Sequence, residues 1–186
     1  MVASTRPGRV GRGVADWFAD IAMAHGAFEI EIVDLAEVNL PLLDEPHDPE
    51  ESRYVHQHTK DWSHTVSAAD AFVFVMPEYN HGFNAALKNA LDFLFHEWHY
   101  KPVGFVSYGG IAGGTRAVQM IKPVTISLGM IPIADAVVIN RIKELVDDDG
   151  RFRPPDWLQD GATALLDELA RVTLPLGSLV SHSRSA

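Results

Sequence analysis

Ser4, Thr5, Arg6 and Arg9 crowd into one short stretch, STRPGR, close to the start of the chain. Two hydroxyls, a planar guanidinium fork and a second cation are groups that hold a phosphate dianion, and Gly8 would let the backbone come close to it. A solvated basic turn is the plainer alternative. The segment is not the G-x-G-x-x-G dinucleotide fingerprint, and it lacks the lysine of a Walker loop. Further along, PEYNHG (77–82) follows Pro77 with a carboxylate, a ring and an amide at Glu78, Tyr79 and Asn80. Such a group can flank a flat heteroaromatic ligand and hydrogen-bond its edge; a polar turn with Asn80 capping the next helix fits as well. A third segment, SYGGIAGG (107–114), carries Ser107 and glycines at 109, 110, 113 and 114. Its backbone must turn tightly or approach a ligand, unless it is simply a flexible surface loop.

The elements that would position these segments alternate along the chain. Val14, Trp17, Phe18, Ile21 and Ala22 recur at helical spacing over 12–25, with Gly26 as a stop. FEIEIVDL then alternates as a half-buried strand with outward glutamates suited to a sheet edge. PLLDEPHDPEES (41–52) reads as a loop, and a helix is expected through about 53–68. AFVFVM (71–76) is an unbroken apolar run of the kind found in parallel sheets buried on both faces. Helix over 83–98, strand over PVGFVSY, helix over 114–129 with Pro123 as a kink or split, strand over 131–140 and a last helix complete the order. That alternation implies an α/β sandwich with a five-stranded parallel sheet in the order 2-1-3-4-5. In such sheets ligands sit beyond the carboxyl ends of the strands, where the order reverses, and all three segments fall on that rim. The first strand is short, with only Met1-Val2-Ala3 available, and further apolar residues are expected upstream.

The chain has 186 residues and a formal net charge of -10, which suits one domain (1–175) with a flexible tail (176–186). The acidic balance argues against a nucleic-acid partner, since phosphate backbones need a basic face. Without cysteine there is no disulfide, thiolate metal site or cysteine nucleophile. No apolar run reaches the roughly 18 residues of a membrane span, and no signal peptide is evident, so a cytoplasmic location is expected. His56, His58 and His64 read as a solvated helix face, HEWH (96–99) lacks metalloprotease spacing, and DDDG (147–150) lacks calcium-loop spacing. No metal is expected.

Taken together, STRPGR (4–9), PEYNHGFNAALKNALD (77–92) and KPVGFVSYGGIAGG (101–114) resemble the NAD(P)H-dependent FMN reductase family of flavodoxin-like proteins. The resemblance covers residues 2–140, and PEYN…LKNALD is its most specific piece. It implies FMN bound without a covalent link, with Ser4, Arg6 and Arg9 on the phosphate. Pro77, Glu78, Tyr79 and Asn80 would line the isoalloxazine, and Ser107, Gly109 and Gly110 would meet its pyrimidine edge. Tyr108 departs from the small residue of many relatives. The implied activity is ping-pong reduction of a diffusible small-molecule acceptor (flavin, quinone, azo dye or metal ion) by NADPH or NADH, with no catalytic side chain. An electron carrier or non-catalytic flavoprotein is the alternative. Lastly, Phe83, Leu87, Ala90, Leu91, Leu94, Phe95 and Trp98 form one helical stripe, and Phe93 widens it beyond a single core contact. That width suggests a homodimer or homotetramer packed through the 83–98 helix.

Overall fold

The computed structural model describes the backbone of residues 1–183 and the side chains through residue 176. Three parallel strands form the sheet, in the order β1 (Phe72–Pro77), β2 (Pro102–Tyr108), β3 (Ile131–Ile139). Successive side chains point to opposite faces, and both faces are apolar. Phe72, Phe74, Met76, Val103 and Phe105 face one core, shared with Trp62, Leu87, Leu91, Trp98 and Ile121. Val75, Val106, Val137 and Ile139 face the other, shared with Val14, Phe18, Leu165 and Leu169. The first core is covered by α3 (Gln57–Ala68), α4 (Ala85–Asp92) and α5 (Thr115–Ser127), the second by α1 (Gly11–His25) and α6 (Trp157–Ser183), while α2 (Leu35–Val38) is a single turn. Helices on both sides of a parallel sheet make an α/β sandwich of three layers.

Register fixes the functional edge. Pro77 stands beside Tyr108, and Tyr108 beside Ile139, so the three strands end level with one another. Ala3 joins the same edge through its N–H to the Val75 carbonyl, 3.0 Å. The loops after residues 3, 77, 108 and 139 therefore leave from one rim.

Two of the five expected strands are not formed as strands. Val2 makes isolated parallel bridges to Asp34 and Val75. Its N–H reaches Val33 at 2.7 Å and its carbonyl accepts from Leu35 at 3.1 Å. Beyond these bonds no ladder forms for FEIEIVDL (28–35) among the described residues. The alternation holds in part: Phe28 and Ile30 pack on the core and Glu29 and Glu31 are exposed, but Ile32, expected on the same face as Phe28 and Ile30, is exposed as well.

The expected 83–98 helix is also shorter. α4 stops at Asp92 and a 3-10 turn occupies His96–Trp98. Phe93, Leu94 and Trp98 are all buried within this one chain, and the Trp98 indole N–H donates to the Leu91 carbonyl at 3.2 Å. A straight helix would spread these side chains over too wide an arc, and breaking it turns them into the same core. The stripe therefore supplies no unpartnered face. α5 stays one helix despite Pro123, held to the sheet by buried Ile121 and Thr125. α6 extends to Ser183, and the remainder of the tail expected over 176–186 lies outside the described residues. No helix among the described residues is long and apolar enough to cross a membrane.

Candidate functional site

The opening loop is an open nest of donors. Arg6 to Arg9 close a turn through the Arg9 N–H to the Arg6 carbonyl, 3.1 Å, with Gly8 at φ 70°. Pro at the second and Gly at the third position give the type II form. α1 then begins without a side-chain cap or an acidic residue in its first turn. Among the described residues, the N–H groups of Ser4, Thr5, Arg6, Gly8 and Val10 donate to no protein acceptor. Free amides at a helix N-terminus, where the helix dipole is positive, bind anions.

The side chains divide the work. Arg6 is exposed and has no ion pair among the described residues. Arg9 is committed instead: its Nη2 donates to Asp34 Oδ2 at 2.6 Å, and its buried Nε has no partner among the described residues. Asp34 is fully buried and also caps α2 by accepting from Ala36 N–H at 3.0 Å. Buried Ser4 shares a 2.9 Å hydrogen bond with the Tyr79 hydroxyl, tying the first loop to the second. Asn84, buried before α4, donates its Nδ2 to the Ala3 carbonyl at 2.6 Å and so anchors the start of the loop from below. Replacing Asn84 with alanine leaves that carbonyl bare and is expected to cost about 1–2 kcal/mol in urea unfolding. Unchanged stability would show that the bond contributes nothing.

The second loop is a tight hairpin. Tyr79 and Gly82 exchange backbone hydrogen bonds at 2.9 and 3.0 Å, with Asn80 and His81 at φ 50° and 70° between them. Both central residues take positive φ in a type I′ turn, and asparagine tolerates that conformation better than most residues. This, not capping of the next helix, accounts for Asn80, which does not line the cavity that these loops enclose. The Glu78 carboxylate is also occupied. It accepts from the Arg116 backbone N–H at 3.1 Å and pairs with Arg116 Nη1 at 2.8 Å, capping the first turn of α5. Its backbone N–H donates to the Tyr108 carbonyl at 3.1 Å. Tyr79, half exposed, presents its ring to the opening.

The glycine loop is packed rather than loose. Ser107 is fully buried and its Oγ donates to the Gly113 carbonyl at 2.9 Å, so it pins the loop and does not face the ligand space. Gly109 N–H donates to the Ile139 carbonyl at 3.1 Å, and the carbonyls of Gly109 and Gly110 accept from Ile142 at 3.0 Å and Arg141 at 2.7 Å. A corner after β3 is thereby drawn onto the same rim. Tyr108 lies against Gly11 with its hydroxyl buried and lacking a good hydrogen-bond partner among the described residues. Burial and the neighbouring Tyr79 hold this phenol well above its ordinary range, against the opposing pull of Ser4, Arg9 and Arg6. It stays protonated at neutral pH.

These loops enclose a cavity of about 610 Å³, within the range of small-molecule cofactor sites. Ser4, Arg6, Arg9, Pro77, Glu78, Tyr79, Gly109 and Gly110 line it, and Asn80 and Ser107 do not. The walls also include Val10, Tyr108 and Ile111, and a group absent from the sequence reading: Arg141, Ile142, Lys143 and Glu144. Their signal was their place directly after the last strand, on the rim already chosen for the other loops. The arrangement suits a ligand with an anionic tail at the helix N-terminus and a flat head beside the glycines.

A family model described as NADPH-dependent FMN reductase matches residues 1–144. An NAD(P)H-dependent FMN reductase of Schizosaccharomyces pombe is 43% identical over 122 residues, 64% of this chain. This chain spans only 61% of that relative's length. An NADPH azoreductase of a Bacillus species is 31% identical over 174 residues, covering 92% of this chain and 88% of the relative. Among solved structures, a flavoenzyme NAD(P)H:acceptor oxidoreductase from Paracoccus denitrificans superposes with a TM-score of 0.71 at 19% identity, covering 92% of this chain and 95% of the other. At that identity the likeness speaks for the fold alone, which is flavodoxin-like.

Proposed function

Because this chain belongs to the NADPH-dependent FMN reductase family, we propose that it binds FMN non-covalently and reduces a diffusible flavin, quinone or azo acceptor at the expense of NADPH or NADH. The observation that carries the reading is the convergence of Arg6, Tyr79 and Gly109–Gly110, distant in sequence, on one cavity of about 610 Å³. The residues present fit the cofactor. The free amides of Ser4 to Val10, Arg6 and the unpartnered Arg9 Nε form a cradle for a phosphate monoester. Tyr79 offers a ring to lie along the isoalloxazine, and Gly109 and Gly110 let backbone approach its pyrimidine edge.

When bound, FMN supplies the redox chemistry, taking hydride from the nicotinamide and passing electrons onward. The protein's part is to bind, orient and exclude water. Donors of the glycine loop favour negative charge at the ring edge, and no side chain needs to act as acid, base or nucleophile. The isolated bridges of Val2 support reading Met1–Ala3 and the 33–34 segment as rudiments of two further strands in the order 2-1-3-4-5. Residues 1–175 are read as one cofactor-binding domain in the cytoplasm. A homodimer is read from Leu42 and Leu43, exposed beside α4, where Leu43 N–H meets Asn89 Oδ1 at 3.0 Å.

Purified protein, supplied with FMN if isolated without it, is expected to show flavin absorption and to bleach on anaerobic addition of NADPH. A preparation that takes up no FMN would end this reading. FMN uptake without steady-state NADPH turnover on any generic acceptor would leave an electron carrier instead.

A further inference from the structure

The corner after β3 carries charge that the cofactor reading does not use. Arg141 sits in the left-handed region at φ 49°, a conformation that costs an arginine energy and persists only where its surroundings fix it. Here the fixing is done by its own N–H on the Gly110 carbonyl, 2.7 Å, and by Ile142 N–H on Gly109, 3.0 Å. These bonds hold the residue at the cavity wall with its side chain about 65% exposed. Lys143 lines the same wall and has no ion pair among the described residues. Glu144 is the acidic neighbour, 3.5 Å from Arg141 between two exposed side chains, a pairing that solvent weakens and that a stronger anion can displace.

The backbone of this corner is tied to the glycine loop through Arg141 and Ile142, while the opening nest supplies its own donors for the cofactor phosphate. In a chain of net charge -10 the long-range field repels anions, and only local cations can bring one in. We propose that Arg141 and Lys143 form the docking site for the 2′-phosphate of the incoming dinucleotide, making the enzyme selective for the phosphorylated donor. The inference rests on the reductase reading. A terminal phosphate monoester is a dianion, and a bidentate guanidinium beside a point ammonium charge matches it better than the singly charged phosphates of a bridging diphosphate. Glu144, freed from Arg141, is placed to accept from a ribose hydroxyl and would otherwise favour the unphosphorylated donor.

The test titrates adenosine 2′,5′-bisphosphate against adenosine 5′-monophosphate by calorimetry, on both FMN-supplied and as-purified protein. The native chain is expected to bind the bisphosphate at least about fivefold more tightly. The double variant Arg141→Asn, Lys143→Gln should lose about tenfold in bisphosphate affinity and bring the two probes level. Asparagine accepts the left-handed backbone, so this variant removes the charge without adding strain. Arg141→Lys alone, which keeps the charge but not the bidentate fork, should lose less than the double variant and fall between it and the native chain. FMN affinity of the double variant, followed by fluorescence, should stay within about twofold. Equal binding of the two probes by the native chain overturns the proposal. So does an unaffected double variant, and so does a parallel fall in FMN affinity, which would put both cations in the cofactor cradle. If the protein takes up no FMN, the reductase reading fails, while the probe titration on as-purified protein still decides whether this wall selects the 2′-phosphate.

Discussion

Replacing Arg6 with alanine is expected to weaken FMN binding about 30-fold while changing riboflavin binding less than about twofold. Charge-assisted hydrogen bonds contribute about 1.5–3 kcal/mol each, and Arg6 is the exposed arginine at the nest with no competing ion pair among the described residues. Arg9 is a different case, since its guanidinium is already held by Asp34 at 2.6 Å and its loss would disturb a buried carboxylate as well. The comparison of the two flavins isolates the phosphate, because riboflavin keeps the ring and the ribityl chain. Titration by quenching of flavin fluorescence reads both. Equal losses for the two ligands would place the phosphate elsewhere.

Gly114→Ala is expected to lower stability by about 3 kcal/mol, or Tm by roughly 6–12 °C, and to abolish FMN uptake at micromolar cofactor. Gly114 sits at φ 91°, which a side chain rarely adopts, and a Cβ there would stand 2.6 Å from Ser107 Cβ and 2.9 Å from the Tyr108 backbone nitrogen. Both obstacles belong to β2, at the centre of the sheet, and cannot move aside. Gly110→Ala is the control, because a Cβ there meets no atom within 4 Å. Thermal melts of both variants decide the matter, and equal melting of the two would show that the packing account of the glycine loop is wrong.

The contrast between these glycines shows how far residue types can be read without coordinates. SYGGIAGG announced a backbone needing unusual freedom, but which glycines serve close packing and which face the ligand depends on neighbours brought by β2 and β3. Ser107 and Asn80 stay off the cavity wall for the same reason. Each is polar and lies beside a site residue, yet one hydroxyl turns inward to Gly113 and one amide sits where a turn demanded positive φ. The helices over 12–25 and 157 onward, and the buried run at 71–76, were legible because one periodicity dominates each. The 83–98 segment was not, since a stripe records only that side chains are apolar and not whether the backbone bends to bury them together. FEIEIVDL (28–35) keeps its alternation only as far as Glu31, since Ile32 is exposed, and the segment is paired through an isolated bridge and not a ladder. Arg141 and Lys143 escaped notice although the rule that located the other loops applied equally to the loop after β3.

The cavity has one finished jaw and one unfinished one. Where the glycine loop meets the corner after β3, the lacing of Gly109 and Gly110 to Ile139, Arg141 and Ile142 is completed by folding itself. Occupancy there demands little further loss of chain entropy. At the opening nest the amides have no protein acceptor among the described residues, so the new hydrogen bonds that an anion brings are made on that side. Flavin capture should therefore proceed tail-led, with the head settling against a wall that was rigid from the outset.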